Sequence, residues 1–158
     1  MTMDELLAEV SRSHHPRPPA TSAEIAEFEA RVGWKLDDEL RAFYLHSNGA
    51  ELFEPLPNAQ YIILPLAKIR RARVAIRGRD EDSAGPPGWW ALVNSQDGEW
   101  ALLDVSAGQQ PYPLLEAWHE TFPGQCQRIA GSFREFLAAA LAGGDRLYWL
   151  QEGGPLDK

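Results

Sequence analysis

Residues 21–49 read TSAEIAEFEARVGWKLDDELRAFYLHSNG, and this stretch decides the helical part of the fold. Ile25, Phe28 and Val32 recur at intervals of three or four residues, which is the spacing of one buried helix face. Gly33 follows them directly, and glycine readily takes the left-handed conformation that ends a helix. We therefore predict an amphipathic helix that ends at Gly33.

A further helix is predicted a few residues later in the same stretch. Asp37 and Asp38 open it, because acidic side chains near a helix N-terminus interact favourably with the helix dipole. Asn48 and Gly49 close it, since both residue types favour turns. Its buried face is predicted to hold Leu40, Phe43 and Tyr44.

Three helix starts share the capping-box pattern, in which a hydroxyl residue and a glutamate three positions later bond to each other's backbone N–H groups. The pairs are Thr2 with Glu5, Thr21 with Glu24, and Ser132 with Glu135. The first pair predicts an N-terminal helix, which the proline-rich loop within residues 1–19 ends. The last pair predicts a helix over about residues 133–142.

Outside the helices, several segments have the apolar, β-branched and aromatic composition of strands. They are residues 52–53, 61–64, 89–93, 100–105 and 111–118. Between them, residues 66–77 predict a short basic helix, and residues 77–88 predict a polar, mobile loop.

The clearest β signal is a hairpin around Asp97-Gly98. This dipeptide favours a two-residue turn between antiparallel strands. Such a turn places Val93 opposite Leu102, so that both faces of the hairpin are largely apolar. A sheet that is apolar on both faces is expected to be covered on both.

Length and composition predict one domain over residues 1–158, ending in a flexible tail at residues 151–158. The single cysteine, Cys126, excludes an internal disulfide and a multi-cysteine metal site. The N-terminal sequence is acidic where a secretory signal would be basic, and no apolar run approaches the ~18 residues that span a bilayer. We expect a cytoplasmic protein without a membrane partner.

The net charge of −8 argues against nucleic acid as a partner, because phosphate binding requires a basic surface. The charge is unevenly distributed. Residues 1–54 carry 11 acidic and 5 basic side chains, whereas residues 55–82 carry 6 basic and 3 acidic ones. An acidic body favours rapid encounter with a basic protein, although solubility is the simpler explanation.

We predict no catalytic, cofactor-binding or metal-binding residues. Glycine-rich phosphate motifs, GxSxG and HExxH are all absent from the sequence. His14 and His15 are adjacent, so their side chains point apart and do not chelate one metal. Cys126 would need a base brought close by folding to act as a nucleophile, and a small buried thiol is the simpler interpretation. The protein is therefore not expected to be an enzyme.

Several short motifs occur in the order typical of one known family. A helix ends in E-x-x-V-G, a later helix ends in N-G, P-G-W leads into a strand, L-D-V ends a hairpin, and S-F-R-E-F-L opens a helix. The residues concerned are Glu29, Val32, Gly33, Leu36, Asn48, Gly49, residues 87–89, residues 103–105 and residues 132–137. Over about residues 20–142 the chain resembles the SUKH superfamily. Asp37 stands where that family usually has proline, and Ala50 where it has a second glycine.

The SUKH superfamily contains bacterial toxin-immunity proteins and fungal cell-wall-assembly regulators of the Smi/Knr type. The resemblance implies an α+β fold, a mostly antiparallel sheet with helices packed against it, and neither catalytic residues nor a cofactor. It implies that the chain binds a protein, possibly by masking a basic toxin domain such as a nuclease. A regulatory or scaffolding protein that binds a host protein is the alternative, followed by a small-ligand protein or an enzyme.

If the chain masks a toxin, acidic and aromatic side chains on the open face of the sheet and on nearby loops are the candidates for partner binding. These candidates are Glu51, Glu54, Glu99, Trp100, Asp104 and Glu116. Each has a simpler alternative: Asp104 caps a strand end, Glu99 solubilises the turn, and Glu51 and Glu54 are loop acids. The tryptophans are also large core residues.

Overall fold

An antiparallel sheet with helices packed against it forms in the computed structural model, which describes residues 1–150. The predicted α+β fold is thereby confirmed, and the predicted tail at residues 151–158 lies outside the described residues. The helices are α1 (Met3–Ser13), α2 (Ser22–Val32), α3 (Asp38–His46), α4 (Ala72–Arg77) and α5 (Phe133–Ala142). The strands are β1 (His15–Pro16), β2 (Ala50–Leu52), β3 (Tyr61–Ile63), β4 (Arg70–Arg71), β5 (Trp89–Asn94), β6 (Glu99–Asp104), β7 (Leu114–Trp118) and β8 (Arg128–Ala130).

The strand order across the sheet is β1-β2-β3-β5-β6-β7-β8, and every described pair is antiparallel. Strand β4 also pairs with β5. Strands β3 and β4 therefore occupy the same position in the sheet beside β5, one after the other, and a short 3-10 turn at Leu66–Lys68 separates them. Besides β4, two short strands, β1 and β8, were not predicted from the sequence. Both are only two or three residues long, which is too short for a periodic pattern.

The predicted starts of α1 and α2 and the end of α2 are confirmed. Helix α3 ends at His46, before the predicted Asn48, and at the start of α5 the Glu135 carboxylate accepts from the Gly131 N–H and not from that of Ser132, so this capping box is incomplete. Thr2 and Thr21 form complete capping boxes with Glu5 and Glu24. Gly33 ends α2 with a left-handed φ of 83°. No described helix is long and apolar enough to cross a membrane.

Helices α1, α3 and α5 pack together on one side of the sheet, which we call the helix face. Aromatic rings pack within the helix layer and join it to the sheet: the ring of Phe43 on α3 lies 5.1 Å from that of Phe133 on α5, and Phe136 on α5 lies 6.3 Å from Tyr61 on β3. All four side chains are fully buried. Burial of each such side chain contributes roughly 1.5–3 kcal/mol, so this layer supplies much of the stability.

The opposite side of the sheet, which we call the second face, is covered over only part of its area. Phe122, in the loop between β7 and β8, packs against Trp89 with 6.3 Å between ring centroids. Arg77 at the end of α4 donates a hydrogen bond to the Phe122 carbonyl at 2.6 Å. The loop and α4 thus cover the Trp89 end of this face.

The predicted register of the β5–β6 hairpin is wrong by one residue near the turn. Val93 lies opposite Ala101, not Leu102, and a bulge next to Leu92 shifts the register once more. The backbone N–H of Ser95 bonds to the Glu99 carbonyl, so the loop has three residues and ends at Gly98 with a φ of 87°. A glycine in this conformation is typical of the three-residue hairpin loop with a bulge.

The predicted helix over residues 66–77 is broken into three pieces. After the 3-10 turn, Arg70 and Arg71 extend and pair with Ala91 and Trp90 of β5. Part of β5 extends beyond the end of β3, so its backbone N–H and C=O groups there need hydrogen-bond partners. Arg70 and Arg71 supply these partners and are therefore extended and not helical. Only Ala72–Arg77 is helical.

A buried arginine holds the polar loop that follows α4. Arg73 donates hydrogen bonds to Asp80 at 2.9 Å, to Asp82 at 2.7 Å and to the Gly85 carbonyl at 3.1 Å. The side chain of Arg73 is almost fully covered, whereas Asp82 is exposed. These hydrogen bonds hold the loop predicted at residues 77–88 against the second face.

Candidate functional site

The six candidate residues do not form one cluster. In an antiparallel pair, residues that lie opposite each other project to the same face. Because Ala101 lies opposite Glu116, and Glu99 precedes Ala101 by two residues, Glu99 and Glu116 share the helix face. The other strand candidates lie on the second face or at its edge, and they are Glu51, Trp100 and Asp104.

On the second face, one row of neighbouring residues crosses four strands. Glu51 lies opposite Ile62, Ile62 opposite Asn94, and Asn94 opposite Trp100. Glu51, Asn94 and Trp100 are each partly exposed, as is Trp89 at the other end of the face, whereas Ile62 is buried. Strands are about 4.8 Å apart, so the row spans about 14 Å. We call Glu51, Ile62, Asn94 and Trp100 the second-face row.

The Glu51 carboxylate is incompletely satisfied. Its Oε2 atom lies 3.6 Å from Nε of Arg17, yet this buried oxygen has no hydrogen-bond partner in residues 1–150. A carboxylate oxygen without a partner retains capacity for a donor.

Asp104 and Glu54 stand apart from this row. One carboxylate oxygen of Asp104 accepts hydrogen bonds from the backbone N–H and the hydroxyl of Ser106, at 2.9 and 2.6 Å. This contact stabilises the turn that follows β6, in line with the simpler alternative for Asp104. Glu54 is exposed in the loop between β2 and β3.

On the helix face, Glu99 and Glu116 are two neighbouring acids in a poorly solvated position. Glu116 is only 4% exposed, and its Oε2 atom has no hydrogen-bond partner within residues 1–150. Burial, and then the nearby charge of Glu99, raise the pKa of Glu116 to about 7. Burial also raises the pKa of Glu99, although a hydrogen bond from the Trp149 indole at 3.4 Å and the proximity of His119 oppose this effect.

Glu99 also lines a cavity of about 340 Å³ at the hairpin end of the sheet. The other lining residues are Gln60, Asp97, Asp145, Arg146, Leu147 and Leu150. Trp118 lies opposite Glu99 on the same face and is 41% exposed. Sequence reasoning did not select Trp118, Asp97 or Asp145, because only the register of β6 against β7 and the position of residues 145–150 bring them near Glu99.

Within residues 1–150, Cys126 has a raised pKa and the metal-binding residue types do not cluster. Burial, and then the charge of Glu116, raise the pKa of Cys126 to about 11, so the group remains a thiol near neutral pH. Among residues 1–150, no group of three or more histidine, cysteine, aspartate or glutamate side chains is placed to hold a metal ion.

The fold and these surfaces define an α+β protein with one antiparallel sheet, one helix-covered face and one partly open face. The sequence matches the SMI1/KNR4 family (SUKH-1) over residues 19–139, and the chain belongs to that family. Comparison with curated proteins finds no match. Family membership supports a protein-binding role of the toxin-immunity or Smi1/Knr4-like type, and the family is generally non-catalytic.

Proposed function

We propose that the chain is an immunity protein that neutralises a basic toxin domain by binding to it directly. Membership of the SUKH-1 family supports a protein-binding role, and the net charge of −8 suits a basic partner such as a nuclease. Opposite charges on two proteins increase their rate of encounter. The toxin is masked and not chemically altered, so the activity needs no catalytic residue.

The observation that carries this proposal is the second-face row. Trp100 is a large side chain that the fold leaves partly exposed, and tryptophan is the residue type most enriched where interfaces gain their affinity. At the other end of the row, Glu51 contributes a partly exposed acidic side chain whose Oε2 atom is buried 3.6 Å from Nε of Arg17. An aromatic side chain at one end of the row and an acidic side chain at the other suit a protein surface that presents arginine or lysine.

A regulatory or scaffolding role is the second candidate. It is favoured by the match to the SMI1/KNR4 family as a whole, because this match does not distinguish toxin binders from regulators. The same second-face row would then contact a host protein. The two roles differ in the identity of the partner and in the contribution of charge to binding.

The test is capture of partners from the native lysate with the tagged full chain, at low and at high salt. The immunity role predicts a basic partner with nuclease-like activity, released at high salt and inhibited by the purified chain. A partner of constitutive cellular function, retained at high salt, would favour the regulatory role. Trp100→Ala should lose the partner in either case, whereas Glu27→Gln, an exposed change on α2, should retain it.

A further inference from the structure

The cavity at the hairpin end of the helix face has an excess of acidic groups. We call it the acidic recess. Asp97, Glu99 and Asp145 line it, and within the described part of the chain Arg146 is the single basic residue in its wall. Leu147 and Leu150 supply an apolar side. A pocket with this lining attracts a cation that carries an apolar stem.

Beside Glu99, but not among the residues that line the recess, lies a buried acid with an unused oxygen. The strand register places Glu116 on the same face as Glu99 and one diagonal position away from it, and the two carboxyl groups interact electrostatically. Glu116 is more than nine-tenths buried, and its Oε2 atom lacks a hydrogen-bond partner within residues 1–150. An unsatisfied buried polar group of this kind costs about 1–3 kcal/mol, and a ligand that donates to it recovers part of that cost.

The ion pairs of residues 1–150 leave both acids without a basic partner. Neither Glu99 nor Glu116 lies within ion-pairing distance of a lysine, an arginine or a histidine in this part of the chain. Two neighbouring carboxyl groups repel each other when both are ionised, and the charge of Glu99 contributes to the raised pKa of Glu116. A single cation between them would relieve this repulsion.

An exposed tryptophan borders the two acids. Trp118 lies opposite Glu99 on the helix face and is 41% exposed at the end of β7. The flat guanidinium group of arginine stacks on aromatic rings while its N–H groups bond to carboxylates, whereas the ammonium group of lysine is compact and strongly hydrated. The combination of two carboxyl groups and an exposed indole therefore fits arginine best.

We propose that the acidic recess is a receptor for one arginine side chain of a protein partner, with Glu99 and Glu116 as acceptors and Trp118 as the stacking surface. This inference rests on the proposed function only in that a protein carries the arginine. A metal ion is a poorer fit, because residues 1–150 offer no group of three ligands. The recess is separate from the second-face row, so a partner that contacts both would grip the hairpin from two sides.

The test uses the peptide acetyl-Gly-Arg-Gly-amide and its citrulline counterpart, which has the same shape without the charge. Two-dimensional NMR follows the indole N–H of Trp149, which donates to Glu99. The arginine peptide should shift this signal saturably, and the citrulline peptide should bind about tenfold or more weakly, since a charge-assisted pair is lost. Glu99→Gln should weaken arginine binding by a similar factor, and Glu27→Gln should leave it unchanged.

A second measurement examines Glu116 through its proton. The titratable groups near it are Glu99 on β6 and Cys126 before β8, with His119 beside Glu99. Arginine favours the ionised form of Glu116, so peptide affinity should fall as the pH is lowered through about 7. Glu116→Gln should weaken binding and reduce this pH dependence.

Three results would overturn the inference: no saturable shift of the Trp149 signal, equal binding of the citrulline peptide, or full binding by Glu99→Gln. None of them depends on the capture experiment. A chain that binds the arginine peptide but has no toxin partner would retain the recess and lose the proposed function. A chain that captures a toxin through the second-face row but does not bind the peptide would support the proposed function and contradict the arginine receptor.

Discussion

Asp37 accepts a hydrogen bond from the backbone N–H of Tyr112 at 3.1 Å, although the two residues are 75 positions apart in the sequence. The other carboxylate oxygen of Asp37 caps α3 by accepting from the N–H of Leu40 at 2.9 Å. Asp37 is almost fully buried, and burial raises its pKa. One carboxylate therefore joins a helix start to the segment that leads into β7. A proline at this position would offer neither acceptor.

Asp37→Ala should destabilise the protein by about 2–4 kcal/mol. Loss of the cap accounts for about 1 kcal/mol, and the buried N–H of Tyr112 left without an acceptor accounts for the rest. Chemical denaturation measures the free energy of unfolding. Thr21→Ala, at the exposed cap of α2, is the matched control and should cost only about 1 kcal/mol. Equal losses for the two variants would show that the Tyr112 bond contributes nothing.

Gly49→Ala should be more damaging than the same change at Gly33. Both glycines have a left-handed φ, which strains any other residue by about 1–2 kcal/mol. A Cβ atom at Gly33 meets nothing within 4 Å, but one at Gly49 would lie 2.7 Å from the Ile63 carbonyl oxygen and 2.8 Å from the Pro65 nitrogen. Both are backbone atoms, which cannot move aside by a side-chain rotation. Thermal unfolding should give a clearly larger loss for Gly49→Ala, and similar losses would contradict the close approach.

Stability should fall as the pH rises from about 4.5 to about 7, because Glu116 must lose its proton in a buried site. Its folded-state pKa of about 7 lies above the ordinary 4.5, so folding favours the protonated form. This stabilisation is complete below pH 4.5 and is lost as the pH passes the folded-state pKa, and it amounts to at most about 3 kcal/mol. Unfolding across this pH range is the measurement.

Glu116→Gln should reduce that pH dependence, because the amide does not titrate. Glu99→Gln should move it to lower pH, since the charge of Glu99 contributes to the raised pKa of Glu116. Glu27→Gln is the control and should leave the profile as it is. An unchanged slope in Glu116→Gln would place the titrating group elsewhere.

Charge reversal at Glu51 and Glu54 should slow association with a basic partner. The double change to lysine should lower the association rate about 3- to 10-fold at low salt, with a smaller effect on dissociation, because these acids act mainly by attracting the partner. Stopped-flow kinetics with the captured partner measures both rates, and Glu27→Lys is the control. An unchanged rate at low salt would remove both residues from the interface.

Trp100→Ala should act on the dissociation rate instead. Truncation of a tryptophan at the centre of an interface costs about 2 kcal/mol or more, which corresponds to about 30-fold in affinity. The fold should survive, since Trp100 is only partly buried. Surface binding measurements on Trp100→Ala, alongside the folded control Glu27→Gln, would detect this loss. A normal lifetime of the complex would place the interface away from the second-face row.

The helices were predictable because each carries its own start and stop signals. The capping contacts of Thr21, Gly33 and Asp37 are made within one turn of each residue, so these helix starts and ends can be recognised without knowledge of the rest of the chain, whereas the bond from Tyr112 to Asp37 cannot. The hairpin register was not predictable in this way. Gly98 permits more than one loop length, and the bond from Ser95 to Glu99 selects the longer loop in the folded hairpin.

The candidate residues show the same limit. Glu99 and Glu116 were selected separately as acids near the sheet, but their proximity depends on the pairing of β6 with β7. A shift of one residue would have placed them on opposite faces. Trp118 was overlooked as an interface residue for the same reason, since its exposure depends on which elements cover the end of β7. The strands at residues 61–64 and 111–118 were predicted in type, with ends displaced by up to three residues.

The hydrogen bonds from Arg73 to Asp80 and Asp82 limit the area of the second face that is available for docking. Asp80 and Asp82 bind this arginine and hold their loop over one end of the second face, so those two carboxylates are neutralised locally and add little to the field that an approaching protein experiences. A protein that approaches the second face can therefore reach only its uncovered end, which carries Glu51 and Trp100. The area of the second face that a partner can contact thus depends on Arg73, a buried residue that the partner does not touch.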